Sequence, residues 1–273
     1  MTENFRSPWK IARRLRYLPL VIKKIRNWPA FIFCYALGLV PKSPYRFRNG
    51  AKLVIARGID HVPILEIFVN EDYGSISDDA VVLDLGANIG VFTIYATSGA
   101  RNVRIYAYEP LPDFYAILQE NVRLNRRDEA VYCFKTAVAA EAGMRDLYLK
   151  GGQFFFPTLV GAKNNDSEER VAVCCTTLAE IMESNHLEQV GLLKLDCEGA
   201  EYEILYPAPL ACLKRIAKIR MEYHNLDSDD RNLDGLKRFF TRSGFVVTHL
   251  KPTSETNGTL WAERENTSIQ SHD

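Results

Sequence analysis

Val81-Val82-Leu83-Asp84-Leu85-Gly86-Ala87-Asn88-Ile89-Gly90-Val91-Phe92-Thr93 joins a short apolar run to a helical pattern through a turn that carries two glycines. Val81 to Leu85 is β-branched and apolar apart from one carboxylate, and from Val91 to Ala96 apolar residues resume at helical spacing. This reads as a buried parallel strand feeding a helix, with Asp84 near the carboxyl end of the strand. Gly86 lets the backbone turn sharply and approach a ligand with no Cβ in the way, and Gly90 allows close packing where the helix begins. A ligand in this turn would meet the free N–H groups of a helix amino terminus.

A dinucleotide fingerprint needs glycines at its first, third and sixth positions, and counted from Asp84 those positions hold Asp84, Gly86 and Ile89. One of three fits, which counts against a nicotinamide-dependent oxidoreductase, the less favoured alternative. The sequence acid-x-Gly-x-Asn-x-Gly instead resembles the first motif of Rossmann-like methyltransferases, which bind S-adenosylmethionine. A second acid supports that reading: Glu109 closes the next strand, Val103 to Tyr108, 25 residues beyond Asp84. That is close to the spacing at which an acid meets ribose hydroxyls in nucleotide-binding βαβ units. Asp84, Gly86, Asn88, Gly90 and Glu109 are therefore the candidate cofactor-binding residues.

With 273 residues, 47% hydrophobic and 25% charged, the chain has an ordinary globular balance and enough length for a sizeable core. Its zero net charge hides an asymmetry. Up to Arg48 there are eleven Lys or Arg against Glu3 alone, so this part is near +10 and the remainder near −10. The six cysteines show no C-x-x-C pair and no zinc-type spacing, which points to free thiols in a reducing, cytoplasmic compartment.

Residues 1–43 read as a basic, helical, amphipathic segment. Ile11, Leu15, Leu18, Ile22 and Ile25 are interleaved with Arg13, Arg14, Arg16, Lys23, Lys24 and Arg26, and Pro19 predicts two short helices rather than one long one. Trp28 to Val40 is an apolar run of thirteen residues, short of the roughly 20 that span a bilayer. It is also a poor signal peptide. Two readings stay open: an anchor on an anionic membrane surface, peripheral on the inner face, or a cap packed on the main domain.

A Rossmann-like domain is expected over residues 44–263, followed by a polar tail at 264–273. Asn49-Gly50 between Tyr45–Arg48 and Ala51–Ile55 predicts a hairpin with a type I′ turn ahead of the core. Ile64, Leu65, Ile67 and Phe68 predict a helix leading to Tyr73, which is a candidate to face the cofactor. Pro112 opens a helix with Phe114, Ile117, Leu118 and Val122 on one side, and Val131–Val138, Arg145–Lys150 and Arg170–Cys174 are expected strands. Between them, 151–169 has no clear periodicity and contains Phe154-Phe155-Phe156-Pro157, which reads as an acceptor-binding lid or an aromatic-edged surface hairpin. Strands and helices then alternate as in a doubly wound sheet.

The second concentration of chemistry is Lys194-Leu195-Asp196-Cys197-Glu198-Gly199-Ala200-Glu201, at the end of the strand Val190–Leu195. In open α/β sheets the ligand crevice lies beyond the carboxyl ends of the strands, so Asp196 is expected in the same site as Asp84 and Glu109. The Asn/Asp-Pro-Pro-aromatic sequence of enzymes that methylate base amines is missing, and no nucleic-acid partner is expected. Cys197 lacks the proline that precedes the nucleophile of RNA cytosine methyltransferases and reads as a core-facing thiol. The strand Ile216–Met221 is followed by Glu222-Tyr223-His224, with Glu222 and His224 on one face by alternation.

Asp84-Leu85-Gly86-Ala87-Asn88-Ile89-Gly90, Tyr108-Glu109-Pro110, Leu193 to Glu201 and Glu222-Tyr223-His224 together resemble the FkbM family of methyltransferases. The resemblance implies a class I methyltransferase sheet using S-adenosylmethionine. It also implies O-methylation of a hydroxyl on a sugar, glycolipid, polysaccharide or polyketide-like metabolite. A non-catalytic binding module on the same fold is the main alternative, although every site acid is retained. For catalysis His224 is the expected general base, since an ordinary imidazole is largely neutral at cellular pH. Glu222 would orient it and Asp196 would position cofactor or acceptor. A divalent ion held by Asp196, Glu198, Glu222 and His224 is the rival arrangement.

Overall fold

Alternate residues of the apolar strands face opposite ways, so a strand buried on both sides feeds two separate cores. In the computed structural model, which describes residues 17–149, 157–158, 169–227 and 229–265, this is what organises the chain. Val82 and Leu192 join one core, while Leu83, Leu85, Leu193 and Leu195 join the other.

Seven strands form the main sheet. Five are parallel: β3 (Val81–Leu85), β4 (Arg104–Tyr108), β5 (Val131–Phe134), β10 (Leu192–Leu195) and β11 (Lys218–His224). β13 (Asn257–Arg264) runs antiparallel to β11, and β12 (Phe245–Pro252) antiparallel to β13. The spatial order is β12-β13-β11-β10-β3-β4-β5. The order reverses between β3 and β10, the topological switch point at which open α/β sheets bind their ligands. Helices α4 (Val91–Gly99) and α5 (Pro112–Leu124) supply residues to the first core, and α6 (Leu178–Ser184), α7 (Glu201–Leu205), α8 (Leu210–Leu213) and α9 (Leu233–Arg242) to the second. The expected α/β, Rossmann-like doubly wound architecture is the observed one.

Three expectations are corrected. Val131–Val138 is two strands rather than one: after Phe134 the chain leaves the main sheet, and β6 (Ala137–Val138) pairs with β9 (Glu169–Thr176). β6 and β9 combine with β7 (Gly143–Leu149) and β8 (Pro157–Thr158) in a separate four-stranded sheet. The run at Arg145–Lys150 and that at Arg170–Cys174 thus extend a side sheet, through antiparallel pairing that a local apolar pattern does not encode. The hairpin of β1 (Tyr45–Arg46) and β2 (Lys52–Leu53) turns through three residues closed by Phe47 N–H to Ala51 C=O (2.8 Å), with Gly50 at φ +94°. Asn49 keeps a negative φ, so the turn is not type I′. Glu222 and His224 lie within β11, two positions apart on one face as alternation predicts, where β13 extends its pairing. Apart from Pro157, Thr158 and Glu169, the expected lid at 151–169 lies outside the described residues.

At the amino-terminal side, Pro19 sits in the first turn of α1 (Leu18–Lys24), while residues 10–16, where the other short helix is expected, lie outside the described residues; α2 (Trp28–Leu37) is formed by the apolar run that follows. No described helix is long and apolar enough to cross a membrane. A 3₁₀ turn (Gly58–Asp60), a short helix α3 (His61–Pro63) and a π-helical stretch (Ile64–Val69) then lead into the core.

Gly86 fixes the geometry of the turn after β3. Its φ is +74°, and a Cβ there would collide with the Asp196 carbonyl oxygen, so strand ends β3 and β10 approach at a distance only glycine permits. Replacing Gly86 with Ala is expected to cost at least the roughly 1–2 kcal/mol of left-handed backbone strain. A thermal melt should therefore drop by about 4 °C or more. An unchanged melting temperature would mean that this approach is not required by the fold.

Candidate active site

The ends of β3, β4 and β10 wall a cleft open to solvent, with about 900 Å³ of unfilled space when the solvent at its mouth is included. Gly86, Ala87 and Asn88 come from the glycine turn, Tyr108, Glu109 and Pro110 from the end of β4, and Lys194, Asp196, Cys197 and Glu198 from the end of β10. Phe114 of α5, Val138 of β6, and Pro63 and Ile67 from the segment before the core complete the apolar walls.

Glu109 is 4% exposed, and both its oxygens are engaged by backbone N–H groups: Asn88 donates to Oε2 (2.8 Å) and Leu111 to Oε1 (2.9 Å). The turn is tied to the same strand by Gly86 and Ala87 N–H groups, which donate to the Tyr108 carbonyl (3.0 and 2.9 Å). Burial pushes the Glu109 carboxyl up to about 7, with the two backbone hydrogen bonds opposing the rise. Asn88 takes φ +51° and turns its side chain back to accept from Ile89 N–H (2.8 Å). Gly90 does not line the cleft; it packs against Leu118 of α5.

Asp84 is also not part of the cleft wall. It is fully buried, accepts a 2.6 Å hydrogen bond from Thr93 Oγ1, and lies 3.1 Å from Lys194 Nζ. The ammonium donates to the Gly86 carbonyl (2.8 Å) and sits 3.7 Å from Asp196 Oδ2, which accepts from the Tyr73 hydroxyl (3.2 Å). Burial lowers the Lys194 pKa, but Asp84 and Asp196 outweigh it and hold the amine well above its ordinary value. Asp84 therefore acts on the site through Lys194, and Tyr73 meets Asp196.

Beyond Asp196, the chain takes a left-handed turn at Glu198 (φ +52°) and Gly199 (φ +102°) before α7. Glu198 Oε2 lies 3.5 Å from His224 Nε2, and Glu201 Oε1 lies 3.3 Å from His224 Nδ1. Glu201 is fully buried and also accepts from the Gly199 and Cys197 N–H groups (3.1 and 3.3 Å). The carboxylates flanking the imidazole are thus Glu198 and Glu201, and Glu222 is engaged instead by the Asn257 side-chain amide (2.9 Å). Neither Glu222 nor His224 lines the cleft. Among the described residues, no three or more His, Cys, Asp or Glu side chains are arranged to hold a metal ion.

Residues 84–247 match the family model described as the methyltransferase FkbM domain. The chain belongs to the FkbM methyltransferase family. The 31-O-demethyl-FK506 methyltransferase FkbM of Streptomyces tacrolimicus is 28% identical over 216 residues, covering 67% of this chain and 82% of that protein. The AMB antimetabolite synthetase AmbE of Pseudomonas aeruginosa is 29% identical over 223 residues, covering 67% of this chain and 10% of that protein. Methyltransferase sdnD of Sordaria araneosa is 28% identical over 175 residues, covering 51% of this chain and 65% of that protein. The chain thus spans less than two thirds of the length of AmbE and of sdnD. A solved precorrin-6y C5,15-methyltransferase from Geobacter metallireducens superposes over 78% of this chain and 91% of its own, at 15% identity and TM-score 0.41.

In this FkbM-family chain the electrostatics around His224 depart from the neutral base expected from sequence. Burial lowers its pKa, but Glu198, Glu201 and Glu222 outweigh that and push it up to about 11. The resulting imidazolium serves an acid-rich neighbourhood. Burial and nearby carboxylates raise Glu222 to about 8 and Glu66, of the π-helical stretch, to about 7. Burial pushes Glu198 up as well, against its contact with His224. Burial and Glu201 hold the Cys197 thiol well above its ordinary range, which keeps it a packing group rather than a nucleophile.

Because the folded imidazole pKa lies above its unfolded value, the stability it contributes is fully present below about 6.5 and is lost as pH rises through about 11. The expected outcome by NMR is that the His224 ring proton resonances stay at imidazolium positions across roughly pH 6 to 9. A midpoint near 6.5 in that titration would show that the carboxylates do not hold the proton.

Proposed function

We propose that the protein is an S-adenosylmethionine-dependent O-methyltransferase acting on a hydroxyl of a sugar, glycolipid, polysaccharide or related metabolite. The observation that carries this reading is that one cleft is walled by both the glycine turn with Glu109 and the carboxylates Asp196 and Glu198.

The residues present fit the cofactor. Glu109, held rigid by two backbone N–H groups, keeps lone pairs for ribose hydroxyls, and Tyr108, Pro110, Phe114 and Val138 offer apolar surface suited to a purine ring. Three carboxylates against one lysine, itself engaged by Asp84, favour a cationic sulfonium and disfavour a phosphate-bearing ligand such as a nucleic acid. When bound, the cofactor supplies an activated methyl group.

The protein's own task is then to align an acceptor oxygen and take its proton. Asp196, anchored by Tyr73 and Lys194, is placed to accept a hydrogen bond from the acceptor hydroxyl. Glu198 replaces His224 as the general base: it lines the cleft, and burial brings its carboxyl closer to neutral range. As the acceptor O–H bond breaks, its proton passes to Glu198 and its electron pair stays on oxygen for the new O–C bond, while the methyl carbon–sulfur bond of the bound cofactor breaks with its pair kept on sulfur as a neutral thioether. His224, charged and in contact with Glu198, is a positioning residue for that carboxylate, and Glu222 supports its charge.

Mass spectrometry of glycans and glycolipids from cells with and without the gene should reveal a species that loses one methyl group when the gene is absent. With that acceptor in hand, Glu198→Gln is expected to lower turnover by about 10²–10⁴ at saturating cofactor, and chelation to leave the intact enzyme unaffected. Near-normal turnover of the variant would remove Glu198 from the base's place, and activity abolished by chelation and restored by added metal would replace the scheme with a metal-dependent one.

A further inference from the structure

Helix α2 is clamped on its inner side and bare on its outer side. Phe31 and Cys34 are buried, and the Phe31 ring packs edge-on against Tyr45 and His61 at centroid distances of 5.0 and 5.2 Å. His61 in turn bonds the Tyr45 hydroxyl (2.6 Å) and the Gly58 carbonyl (2.6 Å), and Asn27 at the start of the helix bonds the backbone of β1 through Arg46 N–H (2.8 Å) and the Pro44 carbonyl (3.1 Å). The helix therefore holds a fixed orientation. Its sequence, Trp28 to Leu37, contains no charged residue. Along the outer face Ala30, Phe33, Ala36 and Leu37 are exposed at helical spacing, and Leu39 and Val40 continue the strip. Phe33 and Leu37 are 60% and 59% exposed, which for large side chains on a rigid helix marks a binding face rather than a stray surface contact.

Charge distinguishes what covers this face. From Leu18 to Arg48 the chain carries Lys23, Lys24, Arg26, Lys42, Arg46 and Arg48 and no Asp or Glu. Only Lys24 pairs with a carboxylate, Glu71 at 2.6 Å, among the ion pairs of the described residues. Lys23, Arg26 and Arg46 are exposed at the amino-terminal end of α2, where Arg26 N–H bonds the Arg46 carbonyl (2.7 Å), and Lys42 is exposed just past its carboxyl end. An apolar strip with unpaired cations at both ends, on a helix too short to span, has the form of an element that lies in the interface of an anionic bilayer.

We propose that α2 is a membrane-docking surface, with Phe33, Leu37, Leu39 and Val40 entering the acyl boundary and Lys23, Arg26, Lys42 and Arg46 meeting anionic lipid headgroups. Docking bears on the cleft because the chain just past α2 packs on its wall. Gly38 lies in backbone contact with Gly58, the Arg57 guanidinium covers the Phe114 ring at 4.2 Å, and Phe114, Pro63 and Ile67 all line the cleft. A lipid-linked hydroxyl acceptor would reach the site from the same surface. That consequence rests on the proposed methyl transfer; membrane binding itself does not.

The test is co-sedimentation of the full-length protein with vesicles of phosphatidylcholine alone and with about one third phosphatidylglycerol. Binding to the anionic vesicles is expected to be about tenfold or more tighter than to neutral ones, and to fall as salt rises. Phe33→Ser with Leu37→Ser should weaken it by about tenfold or more, with an unchanged thermal melt because both side chains are exposed. Lys23→Gln with Arg26→Gln and Lys42→Gln should erase the preference for anionic lipid. Failure of the intact protein to sediment, sedimentation of the serine variant like the parent, or a dimer in light scattering that the serine variant abolishes would each overturn the proposal, the last by making a second copy the occupant.

Discussion

The site depends on one buried ammonium. Lys194 is 2% exposed and lies between the carboxylates of Asp84 and Asp196 and the Gly86 carbonyl, so it joins the interior of the sheet to the floor of the cleft. The parallel register sets Lys194 beside Asp84, and the absence of a Cβ at Gly86 allows β3 and β10 to close on each other. Removing one partner of such a buried pair leaves an uncompensated charge, typically at a cost of ~3–5 kcal/mol. Asp196, at the floor of the cleft, is therefore held by a group that the core cannot release cheaply.

Charge is also separated across the chain. The cleft gathers Glu109, Asp196 and Glu198, with Glu66 and Glu222 close enough for these carboxylates to raise their affinity for protons, while the described cations from Lys23 to Arg48 lie on the elements that lead into the core. A net charge of zero conceals two fields of opposite sign. The acidic one suits a cationic cofactor and a neutral hydroxyl acceptor, and the basic one suits an anionic surface.

The strands at the switch point were legible because their signals are local: apolar runs ending in an acid, and glycines where the chain must turn. What the sequence hid was pairing. A lysine within Leu192-Leu193-Lys194-Leu195, a strand buried throughout, requires a counter-ion, but that it is Asp84 follows from the register of strands more than a hundred residues apart. For the same reason Asp84 reads as a ligand in sequence and acts as a counter-ion in the fold. Glu198 and Glu201 precede and open a short helix, and only its packing against β11 turns them toward His224, so the imidazole read as neutral is charged. β7 and β9 were legible as strands and β6 as the end of a longer one, but which sheet they join is set by partners elsewhere along the chain, parallel between β6 and β9 and antiparallel between β7 and β9.

The central claim is that the glycine turn and Glu109 form a cofactor socket, and calorimetric titration of the intact protein with S-adenosylmethionine tests it most directly. Saturable binding at one site is expected, weakened about tenfold or more by Glu109→Ala, since hydrogen bonds to a charged group contribute on the order of 1.5–3 kcal/mol. No binding by the intact, folded protein, or an affinity indifferent to Glu109→Ala, would contradict the account.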